Sequence, residues 1–153
     1  MPVQTGRQIT VRRLMPEDQP LLEEMYSTFE PMGAALGLPP RDAARRATWL
    51  AGLREGINLV AFAAGKLVGH LVLLSLGETA EMSAFVHQDF RRQGIGTAMV
   101  FAAVEQGRAA GYTRLVVFID TRNRAARQGL LKFGFRATWE DLQEAEYGYR
   151  LVP

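Results

Sequence analysis

The run Arg91-Arg92-Gln93-Gly94-Ile95-Gly96-Thr97 lies between two apolar stretches, Met82 to Val86 with a strand-like pattern and Ala98 to Val104 with a helix-like one. Glycines at 94 and 96 let the backbone turn with its amides outward, and the residues after them open a helix whose first amides have no partner of their own. Such an end attracts anions. Two arginines beside it make a phosphorylated ligand the expected guest.

Composition limits what else the chain can do. Its 153 residues are 48% hydrophobic and 22% charged, the balance of one packed domain over residues 1–153 rather than a disordered chain. A net charge of +2 suits a small polyanion and falls short of a nucleic-acid-binding balance, so no nucleic acid is expected as partner. The absence of cysteine removes disulfides, cysteine-ligated metal centres and any thiol nucleophile, and no metal is expected. Met1 to Arg13 lacks the apolar core of a signal peptide, and Lys66 and His70 interrupt the longest apolar stretch, Leu59 to Leu74. The expectation is a cytoplasmic protein without a membrane partner.

The elements that must position the glycine turn can be read from periodicity. Ile9 to Leu14 alternates as a short strand ending before Pro16, and Leu21, Leu22, Met25, Tyr26 and Phe29 follow at helical spacing, with Pro16 in the first turn. Glu30 to Pro40 mixes breakers with apolar residues, as a loop packed on something does. A second helix is expected from Asp42 to Arg54, then a hairpin of Asn58 to Ala64 and Lys66 to Ser75 turning at Gly65, then a strand from Ala80 to Val86. Helix three, Gly96 to Ala110, is apolar nearly all round, which predicts cover on more than one side. Leu115 to Ile119 reads as a central strand buried on both faces and parallel to a neighbour reached through helix three. Asn123 to Phe133 is the fourth helix, and Arg136 to Glu140 with Tyr147, Tyr149 and Leu151 forms a last hairpin. The class is mixed α/β.

Gly94-Ile95-Gly96 by itself also fits a dinucleotide site, with Asp120 ending the next strand, but Met99 stands where a third glycine belongs. A P-loop fails because no lysine and hydroxyl pair follows Gly96. The wider order is more specific: Arg91-x-x-Gly94-x-Gly96 after a strand, then a helix, an apolar strand, Asn123-x-x-Ala126 and Phe133-Gly134-Phe135. This order resembles the GCN5-related N-acetyltransferase (GNAT) family, and the resemblance covers nearly the whole chain.

The resemblance implies the acyl-CoA N-acyltransferase fold, a twisted mixed central sheet of about seven strands with about four helices on both faces. It implies acetyl-CoA as co-substrate, its pyrophosphate on the amides of Gln93, Gly94, Ile95, Gly96 and Thr97, with Arg91 or Arg92 adding charge. In the family the strand before the turn parts from its parallel neighbour and pairs with the pantetheine arm, which assigns that task to the backbone of Phe85 and Val86. Asn123 reads as a helix N-cap whose amide, in the family, contacts the cofactor arm, and Ala126 is small where the arm passes.

Relatives often use a glutamate on that strand as general base, and Glu81 stands there, with Glu78 just outside and His87 ranked below it. The tyrosine that relatives place on helix four to protonate the leaving thiolate is Leu130 here, leaving Tyr147 or Tyr149 of the last hairpin to reach in. The implied reaction is direct acetyl transfer to a primary amine of a small molecule or a peptide, walled by the loop from Glu30 to Pro40 and the last hairpin. A non-catalytic acyl-CoA-binding regulatory module is the alternative, and a homodimer is left open.

Overall fold

The computed structural model describes residues 2–4, 8–33 and 37–152. Among the described residues, eight strands form a single sheet. In chain order they are β1 (Pro2–Gln4), β2 (Gln8–Arg13), β3 (Ile57–Ala63), β4 (Lys66–Leu76), β5 (Thr79–Val86), β6 (Arg114–Asp120), β7 (Arg136–Glu140) and β8 (Glu144–Arg150). The helices are α1 (Gln19–Ser27), α2 (Ala43–Leu53), α3 (Ile95–Ala109) and α4 (Arg124–Phe133). The spatial order is β1-β2-β3-β4-β5-β6-β8-β7, with β5 and β6 parallel and every other pair antiparallel.

The mixed sheet covered on both faces is the expected fold. One core lies under α3 and α4 and joins Leu71, Leu73, Met82, Met99, Leu115, Val117, Leu130 and Phe135. A second lies under α1 and α2 and joins Leu22, Met25, Tyr26, Phe29, Leu50, Val60, Val72 and Phe85. Period-two alternation on β4 and β5 feeds both cores, because successive side chains leave opposite faces of the sheet. Gly69 sets how closely α3 sits on β4: a Cβ there would lie 2.9 Å from Met99 Sδ and 3.2 Å from Ala61 Cβ. That close approach fixes the start of α3 against the end of β5.

The structure alters several details. Pro16 stands in a 3-10 turn, Pro16–Asp18, ahead of α1, because Asp18 is drawn back to Arg12 (2.6 and 2.9 Å) and accepts from the Met15 amide at 2.8 Å. Helix α3 buries one stripe, Ile95, Ala98, Met99, Ala103, Val104 and Gly107, while Phe101 stays 51% exposed with its ring 5.1 Å from Phe133 of α4. Cover on several sides is therefore limited to that edge contact. β6 is buried on both faces only over Leu115–Val117; Phe118 is 37% exposed because α1 and α2 do not extend over this half of the sheet. In the loop from Glu30 to Pro40, residues 34–36 lie outside the described residues. No described helix is long and apolar enough to cross a membrane.

Candidate active site

The two parallel strands share only three register pairs, Thr79↔Arg114, Ala80↔Leu115 and Glu81↔Val116. β5 then runs on to Val86 along β4, and β6 runs on to Asp120 along β8, so the sheet forks after Glu81. Backbone groups on the inner edges of the fork have no strand to pair with. Which residues own those groups follows from the antiparallel ladder on the other side of β5. His87 donates its amide to Val68 at 2.8 Å, so alternate residues 87, 85 and 83 bond to β4 while 86 and 84 turn toward the fork.

That phase corrects one expectation. Phe85 lies opposite His70 with its backbone in the β4 ladder and its side chain buried under α1 and α2, whereas Ala84 takes the place in the fork assigned to it. Strand alternation in the sequence shows that 84 and 86 share an edge, but only the register with β4 says which edge. Val86 does border the fork.

Beyond the fork the chain turns into α3. Gly94 is the N-cap with φ of 82° and ψ of 5°, a left-handed conformation that a Cβ would strain, and Arg92 also has a positive φ of 62°. The first backbone bond into the helix is from Ala98 to the Gly94 carbonyl at 3.0 Å. Among the described residues, no carbonyl or side chain accepts from the amides of residues 91–97, so Gln93, Gly94, Ile95, Gly96 and Thr97 offer a row of free donors at the positive end of α3. A Cβ built on Gly96 would meet nothing within 4 Å. The fold itself leaves that space open, and a diphosphate fits it, since it needs bare backbone rather than side chains.

The two arginines diverge. Arg91 donates Nε to the Val86 carbonyl at 2.9 Å and Nη2 to the Glu30 carbonyl, and its guanidinium stands 5.5 Å from the Phe29 ring centre. Burial lowers its pKa from the ordinary value. Arg92 is exposed and has no side-chain partner among the described residues. Its guanidinium lacks the carbonyl contacts that hold Arg91.

Glu81 closes the fork. Its side chain leaves the face occupied by Phe85 and by its ladder partner Leu74, is half-buried, and meets no ion pair or hydrogen-bond donor among the described residues. Glu78 is exposed, and its carbonyl accepts from the Thr113 amide at 2.8 Å at the closed end of the strand pair. His87 is 5% exposed with both ring nitrogens engaged. The Asp89 amide donates to Nδ1 at 3.2 Å, leaving Nε2 as the protonated nitrogen, which donates to Thr28 Oγ1 at 2.9 Å. Wedged beside Phe29 and Phe90, it braces the strand end.

Across the fork, Asn123 caps α4 by accepting from the Ala126 amide at 3.1 Å, and its own amide NH2 has no partner among the described residues. Ala126 is half-buried against the core under α4. Asp120, where β6 ends, is held by Arg122 at 2.8 Å, which lowers its pKa to about 2.

The model of the Acetyltransferase (GNAT) family matches residues 20–135, which takes in the fork, the nest and the α4 cap. The chain belongs to the GNAT acetyltransferase family. Among solved structures it is similar to an N-acetyltransferase from Staphylococcus aureus at 20% identity and TM-score 0.77, over 94% of this chain and 98% of that one. It is also similar to a ribosomal-protein-alanine N-acetyltransferase from Brucella melitensis (20% identity, TM-score 0.76, 92% and 99% covered). A third is a GNAT superfamily phosphinothricin acetyltransferase from Sinorhizobium meliloti in complex with acetyl-CoA (18% identity, TM-score 0.77, 94% and 89% covered). These likenesses establish the GNAT fold. Comparison with curated proteins found no match.

Within this GNAT chain Leu130, where the resemblance implied a tyrosine, is 8% exposed in the core, and its carbonyl accepts from Gly134 and Phe135 where α4 ends. The two hairpin tyrosines are not equivalent. Tyr149 packs on Phe133 and Phe135 at the far end of α4 from Asn123, with ring centres 5.5 and 5.1 Å away. Tyr147 lies opposite Val117, the first β6 residue past the fork, and its hydroxyl has no partner among the described residues.

Proposed function

We propose that this chain transfers an acetyl group from acetyl-CoA directly to a primary amine of a small molecule or a peptide. The observation that carries the reading is the row of unpartnered amides at residues 91–97, at the end of a strand that parts from its parallel neighbour. Residues 93–97 would hold the diphosphate, with Arg92 adding charge. Ala84, Val86, Asn123 and Ala126 would border the pantetheine arm, and the Ala84 and Val86 amides, both turned to the fork, are the backbone donors for a thioester carbonyl. Acetyl-CoA, when bound, supplies the activated acyl group.

The chain's own task is to manage protons. A lysine-like amine of pKa about 10.4 stands about 3.4 units from its reactive form at pH 7, a cost of about 4.6 kcal/mol. Glu81, at the fork and with no ion-pair partner among the described residues, is the group to take that proton. With no cysteine in the chain, a cysteinyl intermediate is excluded and direct attack by the amine is the simplest route.

Buried Leu130 in place of an acid favours a second reading, a regulatory module that binds acyl-CoA without turnover. Release of free CoA from acetyl-CoA in the presence of phosphinothricin, spermidine, phenethylamine or an alanine-initiated peptide supports the transferase. Tight acetyl-CoA binding with no release across this panel supports the module. Protection against thermal unfolding by NAD but not by acetyl-CoA refutes both.

A further inference from the structure

The corner between α1 and β5 holds contacts that acyl transfer does not call for. Thr28 follows α1, and the chain enters the loop that runs to Pro40. Gln88 accepts from the Glu30 amide at 2.9 Å through Oε1 and donates Nε2 to the Thr28 carbonyl at 2.6 Å. His87 holds the Thr28 hydroxyl, and Arg91 holds the Glu30 carbonyl while its Nε is on Val86. Residues 28–30 are therefore fastened by side chains of the same short segment that opens the amide nest.

We propose that Arg91, together with Gln88, is a positioning residue: it ties the first residues of the acceptor-side loop to the Val86 end of the fork, and it does not grip the diphosphate. This rests on the fork being the acyl-CoA site. Swinging Arg91 toward a diphosphate would strip the Val86 and Glu30 carbonyls of their donor and lift the guanidinium off Phe29. Arg92, exposed and one residue closer to the glycines, needs no such loss. The loop and the nest thus share one anchor, so the distance between the acyl group and the acceptor wall is set by Arg91 and Gln88.

The test compares Arg91→Met, Arg92→Met and Gln88→Ala in the full chain. Free CoA is titrated by calorimetry, amide hydrogen exchange is followed at residues 28–30, and KM is measured for both substrates with whichever amine of the panel turns over. Arg91→Met and Gln88→Ala are expected to bind CoA within about threefold of wild type, to exchange at Phe29 and Glu30 at least tenfold faster, and to raise KM for the amine with little change in KM for acetyl-CoA. Arg92→Met is expected to lose about tenfold in CoA affinity with exchange unchanged. A tenfold loss of CoA affinity in Arg91→Met with unaltered exchange at Phe29 and Glu30 overturns the proposal. Should Arg91→Met not fold, Gln88→Ala decides by the same exchange and KM readings. Wild type failing to bind CoA defeats the acyl-CoA reading instead, and exchange in the variants still reports on the tie.

Discussion

Glu81 faces Val116 as the last register pair that β5 and β6 share, and from the next residue each strand follows a different partner. The carboxylate therefore sits at the vertex of the gap.

On the proposed mechanism, replacing Glu81 with Gln removes the base and keeps the shape. Turnover is expected to fall about 10²-fold or more at pH 7 and by much less at pH 10, where the amine is already largely deprotonated. A pH–rate profile of the variant parallel to wild type would take Glu81 out of the mechanism.

Gly96 tests the anion nest without disturbing the fold. A side chain there meets no protein atom within 4 Å, and a helix gains up to about 1 kcal/mol when glycine gives way to a better helix former. Gly96→Leu should leave the melting temperature equal or higher while CoA affinity drops at least tenfold. Unchanged affinity by calorimetry would mean that the diphosphate lies elsewhere.

Tyr147 stands level with the mouth of the fork and Tyr149 at the far end of α4. If Tyr147 protonates the leaving thiolate, Tyr147→Phe lowers kcat for acetyl-CoA by about 10²-fold, the lower end for general acids, with Tyr149→Phe close to wild type. Equal kcat values for the two variants would remove the tyrosine from this role.

His70 links stability to pH. Its Nδ1 accepts from the Tyr26 hydroxyl at 2.7 Å, and its Nε2 donates to Asn58 Oδ1 at 2.8 Å, since the Asn58 amide is spent on the Leu53 and Gly56 carbonyls. Burial lowers its pKa from 6.5 to about 4. Between those values the unfolded chain binds a proton that the folded chain does not, so stability falls as pH drops from 6.5 toward 4, by roughly 3 kcal/mol in all. Denaturant titrations should show this slope in wild type and a flatter one in His70→Gln.

Much of the fold was legible because it follows local rules. The alternation at Ile9–Leu14 and the apolar run Leu115–Ile119 mark strands whichever partners they find, and Asp42 and Asn123 cap helices with their own side chains, accepting from Arg45 and Ala126 at 2.9 and 3.1 Å. Gly94-Ile95-Gly96 announced the turn into α3 for the same reason: a backbone at φ of 82° selects glycine before anything else packs on it.

What the sequence determined by itself was thus the order of elements, the glycine turn and the kind of ligand it suits, all set by residues close together in the chain. Tertiary structure decided the rest. The ladder phase with β4 turned Ala84 rather than Phe85 to the fork, and Glu30, more than sixty residues earlier, engaged the Arg91 guanidinium through its carbonyl while Arg92 stayed exposed. Register and long-range hydrogen bonds depend on which strands and loops meet in space, and no local pattern of side chains encodes that meeting.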